Sequence, residues 1–371
     1  MLSGPAGAAT YKSTIFAQNL NNPRGLAFGP DGALYIAEGG TFNPGGPSII
    51  QEGQPAEFGL SGSITRVENG VQTRIVTGLP SLTGITSGSS TGAADIAFLN
   101  GTGYFLIGLG ADPAARTGAL GSAPEAVDLG GLYSFSGNVV TKLADIAAFE
   151  ALNNPAGGPI DSNPFKLTAG PGRLLVTDAG GNSLLSVTPE GVVSLEAVFP
   201  GRDIGGGFPS DSVPTGVAVG PDGAFYVGEL TGFPFTPGQA QIFRIDADDG
   251  TRSVHATGFT NLTDIAWGAD GFLYALQFAD SGIPGGPPGS LVRLEADGSL
   301  TTIFGGLIAP VGLEIGADGA FYVTQFSASS GVGQVLRIAA VPEPASWAML
   351  VLGFGVLGMA ARRRRATFAQ G

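Results

Sequence analysis

Small and large apolar residues alternate over Gly25-Leu26-Ala27-Phe28, the turn-forming Gly29-Pro30-Asp31-Gly32 follows, and Leu34-Tyr35-Ile36-Ala37 then runs apolar on both faces. Period-two alternation reads as a strand with one crowded face, and an unbroken apolar run as a strand covered on both sides. Proline followed by glycine at this spacing reads as a tight turn. The same order returns at Val213 to Glu229, Asn261 to Gln277 and Ala309 to Gln325, and in worn form at Ala93 to Gly110 and Asn163 to Asp178. With Asn22 to Glu38, these make six copies of one unit. A third strand is predicted in each, at Ser63 to Val67, Leu132 to Phe135, Ser183 to Val187, Gln241 to Ile245, Ser290 to Leu294 and Gln334 to Ile338, and a fourth after a short turn, as at Gln72 to Val76. Four strands per unit in six units predict an all-β chain folded as a six-bladed β-propeller. The sixth unit stops after its third strand, while Tyr11 to Ala17 has no sheet of its own. The N-terminal strand is therefore expected to complete the last blade and close the ring, removing a free edge.

The connections divide into two kinds. Turns between first and second strands, and between third and fourth, are short. The other two kinds carry every insertion: Gly39 to Gly62, Gly78 to Gly92, Ala111 to Gly131, Ala144 to Asn163, Pro200 to Ser212, Thr231 to Gly238 and Ala279 to Gly289. Because strand direction alternates, all of these leave the same side of the disc, so one face is bare and the other elaborated. Leu143, Ile146, Ala147 and Phe149 recur at helical spacing and predict a short helix over Lys142 to Leu152, ended by Asn153-Asn154-Pro155.

Composition sharpens this picture. Glycine (63) and proline (26) are too frequent for a helical protein, and 43% hydrophobic residues supply a sizeable core. The net charge is −13, and residues 1 to 340 alone hold 29 acids against 13 bases, which argues against a nucleic-acid partner. Without cysteine there is no disulfide, thiolate nucleophile or thiolate-bound metal. The single histidine, His255, falls on a predicted outermost strand, which removes Ser-His-Asp catalysis and a histidine-bound zinc.

Candidate chemistry gathers at the ends of the second strands, where the equivalent residues are Glu38, Gly110, Asp178, Glu229, Gln277 and Gln325. Five of the six bear oxygen. If they ring the channel mouth, Glu38, Asp178 and Glu229 could hold a hard cation such as Ca²⁺; the alternative is that they only cap strand ends. Asp95 and Asp264, which open two first strands, point to the same rim. Arg24 and Lys166 could bind an anion there or pair with Glu38 and Asp178. By fold-level analogy with six-bladed lactonases, rim carboxylates around a metal would support hydrolysis. Asp246-Ala247-Asp248-Asp249-Gly250 lacks the glutamate of a calcium loop and reads as a turn. Phe42, Phe58, Phe233 and Phe235 in the long loops either form a surface for a sugar or apolar ligand or pack those loops together.

Four stretches in order, Gly108 to Arg116, Asp161 to Phe165, Val176 to Asn182 and Gly228 to Phe235, resemble the ScyD/ScyE family over nearly residues 11 to 340. That resemblance implies an extracytoplasmic propeller similar to NHL-type propellers, in a family with members encoded beside scytonemin pigment genes in cyanobacteria. It implies no catalytic residues. A second resemblance lies in the tail. Pro342-Glu343-Pro344, then Trp347, then an apolar run and Arg362, Arg363, Arg364 and Arg365 look like a PEP-CTERM sorting signal, which implies an exosortase as processing partner. Ala345 to Ala361 holds no charge over a length near the minimum of about 17 residues for a transmembrane helix, and the arginines after it should stay cytoplasmic. A permanent anchor is the alternative.

Residues 1–10 thus read as a signal-peptide remnant or a disordered terminus, 11–340 as the propeller, 341–366 as the sorting and anchor segment, and 367–371 as a tail. The expected function is an exported envelope binding or scaffold module for a polysaccharide or small molecule, anchored in the inner membrane until processed. A calcium-dependent lactonase-like hydrolase and a structural matrix protein are the alternatives.

Overall fold

The computed structural model describes residues 10–51 and 53–341. Six sheets are arranged as blades, each with its first strand innermost. Blade 1 comprises Pro23–Phe28, Leu34–Glu38, Gln54–Glu68 and Val71–Gly84. Blade 2 comprises Ala93–Leu99, Thr102–Ile107, Gly131–Ser136 and Val139–Asp145. Blade 3 follows with Pro164–Gly170, Arg173–Asp178, Ser183–Val187 and Val193–Val198. Blade 4 is built from Pro214–Val219, Phe225–Glu229, Ala240–Ile245 and Arg252–Phe259. Blade 5 is Leu262–Trp267, Leu273–Gln277, Gly289–Leu294 and Leu300–Leu307. In blade 6, Leu313–Ile315, Phe321–Gln325 and Gly333–Val341 are completed by the N-terminal Thr10–Leu20, paired antiparallel from Thr10 against Val341 to Leu20 against Gly333. The ring closes on its own first strand, as the repeat count requires.

The repeated Gly-Pro/Ala-Asp-Gly turn is a structural staple. Asp31 accepts from the Ala33 N–H and the Tyr35 hydroxyl and pairs with Arg66 on the third strand. Asp222 does the same with Ala224, Tyr226 and Arg244. One carboxylate thus ties turn, second strand and third strand together, which accounts for the tyrosine four residues after the aspartate. The residue just before the first strand is left-handed in three blades, at Asn22, Val213 and Asn261, and the equivalent repeat position, Ala309, is left-handed in blade 6, with φ between 44° and 54°.

Between blades the packing is aromatic. Tyr322 of blade 6 is met edge-on by Phe16 of the closing strand and Phe28 of blade 1, both at 5.0 Å. Tyr35 of blade 1 packs on Phe98 of blade 2 at 4.9 Å. Such pairs add about 0.5–1.5 kcal/mol each beyond area burial.

Three insertions differ from the loops expected of them. Gly39 to Gly62 and Gly78 to Gly92 are partly strand, because the outer hairpin of blade 1 overshoots the disc to pair Ala56 with Gly84 and carries the short strands Ser48–Gln51 and Ser90–Thr91. Register shifts at Gly59 and Gly62 interrupt the alternation there, hiding the strands from a periodicity reading. Pro200 to Ser212 contains a two-stranded ribbon, Arg202–Asp203 with Pro209–Ser210. The short helix is present as α1, Ile146–Asn153, beginning four residues later than predicted because Lys142 to Asp145 still belongs to blade 2. Asp145 caps α1 through the Ala148 N–H, and left-handed Asn154 ends it.

Among the described residues no helix is long and apolar enough to cross a membrane. The expected helix at Ala345 to Ala361 and the sorting residues Pro342, Glu343, Pro344, Trp347 and Arg362 to Arg365 lie outside the described residues, as does the signal-peptide reading of the N-terminus.

Candidate functional site in the central channel

The six first strands place equivalent residues in layers down the channel. Counting from Gly25, one layer is Gly25, Asp95, Lys166, Gly216, Asp264 and Gly312. Three glycines leave room for three charged side chains. A Cβ on Gly25 would stand 1.6 Å from the Asp95 carboxylate oxygen, and one on Gly216 within 2.9 Å of the Asp264 backbone. The Lys166 ammonium donates to Asp264 at 2.5 Å and stands 3.8 Å from Asp95. All three residues are at most 5% exposed. Each carboxylate also bonds the backbone of the next blade in sequence: Asp95 accepts from the Leu167 N–H and Asp264 from the Leu313 N–H.

Burial raises the Asp95 carboxyl to about 7, although Lys166 pulls it back. Burial likewise raises Asp264. For Lys166 burial acts downward, but its two carboxylates outweigh that and its pKa is raised. The cluster is a polar plug whose groups satisfy one another.

Above the plug, toward the elaborated face, Arg24, Phe165, Thr215, Thr263 and Val311 line a mouth of about 190 Å³. Arg24 lies over the Phe165 ring at 5.0 Å and donates to the Ser90 carbonyl. Threonine hydroxyls stitch neighbouring blades here: Thr177 to the Thr215 carbonyl, Thr215 to Leu262, Thr263 to Pro310 and Thr324 to Arg24. Below the plug, a larger cavity of about 390 Å³ is reached from the bare face.

The second-strand ends do not ring this channel. Glu38 accepts from Arg74, Thr65 and the Asn21 N–H, inside its own blade and across to the closing strand's exit. Glu229 is held by Arg202, Ser212 and the Gln241 N–H. Asp178 takes the Ser162 hydroxyl and the N–H groups of Asn163 and Gly181. Gln277 accepts from the Thr260 N–H and Gln325 from the Ile308 N–H. These side chains fasten the incoming connection to each blade. Glu38, Asp178 and Glu229 therefore do not converge on a shared calcium, contrary to the rim expectation, because each carboxylate is spent in a different blade. Among the described residues no group of three or more His, Asp or Glu side chains stands in metal-ligand geometry. The ion pairs also differ from expectation: Lys166 pairs with Asp264 and Asp95 rather than Asp178, and Glu38 with Arg74 rather than Arg24.

Beside Asp178 a second acidic group collects. Asp161 approaches Gly180, and Glu150 of α1, 1% exposed and without a side-chain hydrogen bond among the described residues, approaches Gly181. Burial, then the charges of Asp178 and Asp161, raise Glu150 from 4.5 to about 7; burial raises Asp178 to about 6 despite its three donors. An acid whose folded pKa is raised contributes stability below its unfolded pKa and loses it as pH rises through the folded value. Glu150→Gln, which mimics the protonated acid, should therefore leave the urea midpoint unchanged at pH 4 and raise stability by about 2 kcal/mol at pH 8.

His255 sits on the outermost strand of blade 4, edge-on to Tyr226 at 4.8 Å and far from the plug. Asp246 to Gly250 is a turn closed by its own backbone. Of the loop aromatics Phe58 is buried in the core, while Phe233 is 65% exposed and stacks with Phe208 at 6.2 Å, 8° from parallel. Neither Phe208 nor Arg74 and Arg202, the partners of the strand-end carboxylates, follow from spacing. Glu314, on a first strand, is the other residue missed.

Residues 340–365 match the PEP-CTERM protein-sorting motif. The chain carries an exosortase sorting signal. The motif marks an exported, cell-surface protein processed by an exosortase. Three solved structures share the propeller fold. A glucose dehydrogenase is 13% identical, with 89% of this chain and 100% of that one covered and a TM-score of 0.52. A putative oxidoreductase (glucose dehydrogenase) of Thermus thermophilus is 18% identical, with 89% and 100% covered and a TM-score of 0.50. A protein of unknown function from Bacteroides thetaiotaomicron is 11% identical, with 90% and 77% covered and a TM-score of 0.52. At these identities the likeness concerns the fold alone. Comparison with curated proteins returns no match.

Proposed function

We propose that this PEP-CTERM protein is a binding or scaffold module of the cell envelope, of the ScyD/ScyE type, linked to an exopolysaccharide or secondary-metabolite pathway. The observation that carries the reading is the position of the signal: its match begins at residue 340, one residue before the last strand of the closed ring ends at Val341. Residues 11–340 then form the delivered unit, with 341–366 as sorting and anchor segment and 367–371 as a tail. Ala345 to Ala361 holds the precursor in the inner membrane, and Arg362 to Arg365 keep its end cytoplasmic until the exosortase acts.

Two features favour binding over catalysis. The charged residues of the channel centre are committed to one another, and the second-strand carboxylates to their own blades. The elaborated face, by contrast, projects the exposed Phe208–Phe233 pair, whose flat apolar faces suit the C–H faces of sugar rings.

The test replaces Arg362 to Arg365 with glutamine in an exosortase-bearing host. The expected outcome is accumulation of an uncleaved, membrane-associated precursor at the expense of the released domain. Unchanged processing would overturn the sorting reading.

A further inference from the structure

The plug layer is followed, two residues further along each first strand, by Ala27, Ala97, Thr168, Ala218, Ala266 and Glu314. Five small residues and one glutamate occupy equivalent places on strands whose side chains repeat every second residue. The small residues leave the space, and Glu314 is the one long side chain of that layer. The result is the cavity of about 390 Å³ under the plug. Phe28, Phe98 and Trp267, each within the last two residues of its first strand, line it at its outer end.

We propose that this cavity binds a small organic cation, an alkylammonium, with Glu314 as its counter-ion. The proposal is independent of the export reading and concerns the face opposite the long loops.

Three observations carry it. First, Glu314 forms no ion pair among the described residues; its carboxylate is met by the Phe28 N–H, while Lys166, whose charge reaches it, is bound to Asp264. Secondly, three acids, Asp95, Asp264 and Glu314, line the cavity against one base, Lys166, so its potential turns negative once Glu314 ionises. A field of that sign concentrates cations and repels anions. Thirdly, aromatic residues suit an alkylammonium, whose methyl groups are apolar and whose charge is attracted to ring faces.

Proton linkage follows. Burial raises Glu314 to about 8; Phe28 and Lys166 act downward, Asp264 and Asp95 upward. At pH 7 the acid is mostly protonated, so binding a cation there must expel a proton, and affinity must rise with pH until Glu314 is ionised.

The chain holds two tryptophans, so Trp347→Phe in the full chain leaves Trp267 as sole tryptophan reporter beside the cavity. This protein is titrated with choline and with its uncharged isostere 3,3-dimethyl-1-butanol at pH 6 and pH 9. The expected result is a saturable change in Trp267 emission with choline, at least about tenfold tighter at pH 9 than at pH 6 and at least about tenfold tighter than the isostere. Glu314→Gln should lose both the affinity and its pH dependence. The proposal is overturned by no choline response at pH 9, by equal binding of the isostere, or by Glu314→Gln that binds as the parent does. If Glu314→Gln fails to fold, the pH contrast in the parent decides, and pH-independent binding overturns it.

Discussion

Replacing Lys166 by methionine is expected to lower folding stability by about 3–5 kcal/mol at pH 8, the range for removing one partner of a buried ion pair. Methionine nearly fills the volume, so the loss is electrostatic rather than a cavity. Two buried carboxylates, Asp95 and Asp264, would remain without their cation, and each can persist only by keeping its proton. That condition fixes the pH dependence. Burial already holds the Asp95 carboxyl well above its ordinary range, and without Lys166 it must go higher. A carboxyl raised in the folded state contributes stability below its unfolded pKa and loses it as pH rises, so the deficit of Lys166→Met should shrink toward pH 4. Adding Asp264→Asn should recover at least about 1 kcal/mol at pH 8, because one stranded charge is then gone. Urea midpoints of parent, single and double variants at pH 4 and pH 8 test this. A deficit that is the same at both pH values would mean that packing, not charge, holds Lys166 in place.

The plug is legible in the sequence only in part. Asp264 and Lys166 are the fourth residues of their repeats and Asp95 the third of its worn copy, which begins one position later, so aligned repeats place all three at one height together with Gly25, Gly216 and Gly312. Their sharing of one layer is readable; their mutual pairing is not, because spacing along a repeat does not say which side of a strand faces the axis. Register shifts in the first strands, such as those between Pro23 and Leu26 and between Ala93 and Asp95, reset that direction. For the same reason spacing points Glu38 at the rim although it lies inside its blade. Its partner Arg74 comes from the outermost strand, 36 residues on, where no periodicity links the two. Glu314 could have been found: its five equivalents are alanine or threonine, and a lone glutamate among them is anomalous. Blade count, closure and the elaborated face are readable because each follows from strand number and loop length alone.

Deleting residues 1–20 should have the largest effect of any change to the ring. Thr10–Leu20 supplies the fourth strand of blade 6, and its loss bares the length of Gly333–Val341 as an unpaired edge. It also removes Ala17 and Leu20 from the cluster that joins blades 6 and 1, with Leu26, Ile36, Tyr322 and Val335, and takes Phe16 from the face of Tyr322. Burial of these side chains amounts to about 1.5–3 kcal/mol for each large one, so the sum approaches the whole net stability of a domain, about 5–15 kcal/mol. The truncated chain is therefore expected to be unstable as a monomer and to associate through the bared edge, read as high-mass species by size exclusion with light scattering. A synthetic Thr10–Leu20 peptide supplied in trans should restore the monomer and its thermal transition, because the missing piece is one strand with its register already set by Gly333–Val341. A truncated protein that stays monomeric with an unchanged melting midpoint would show that the ring holds without its clasp.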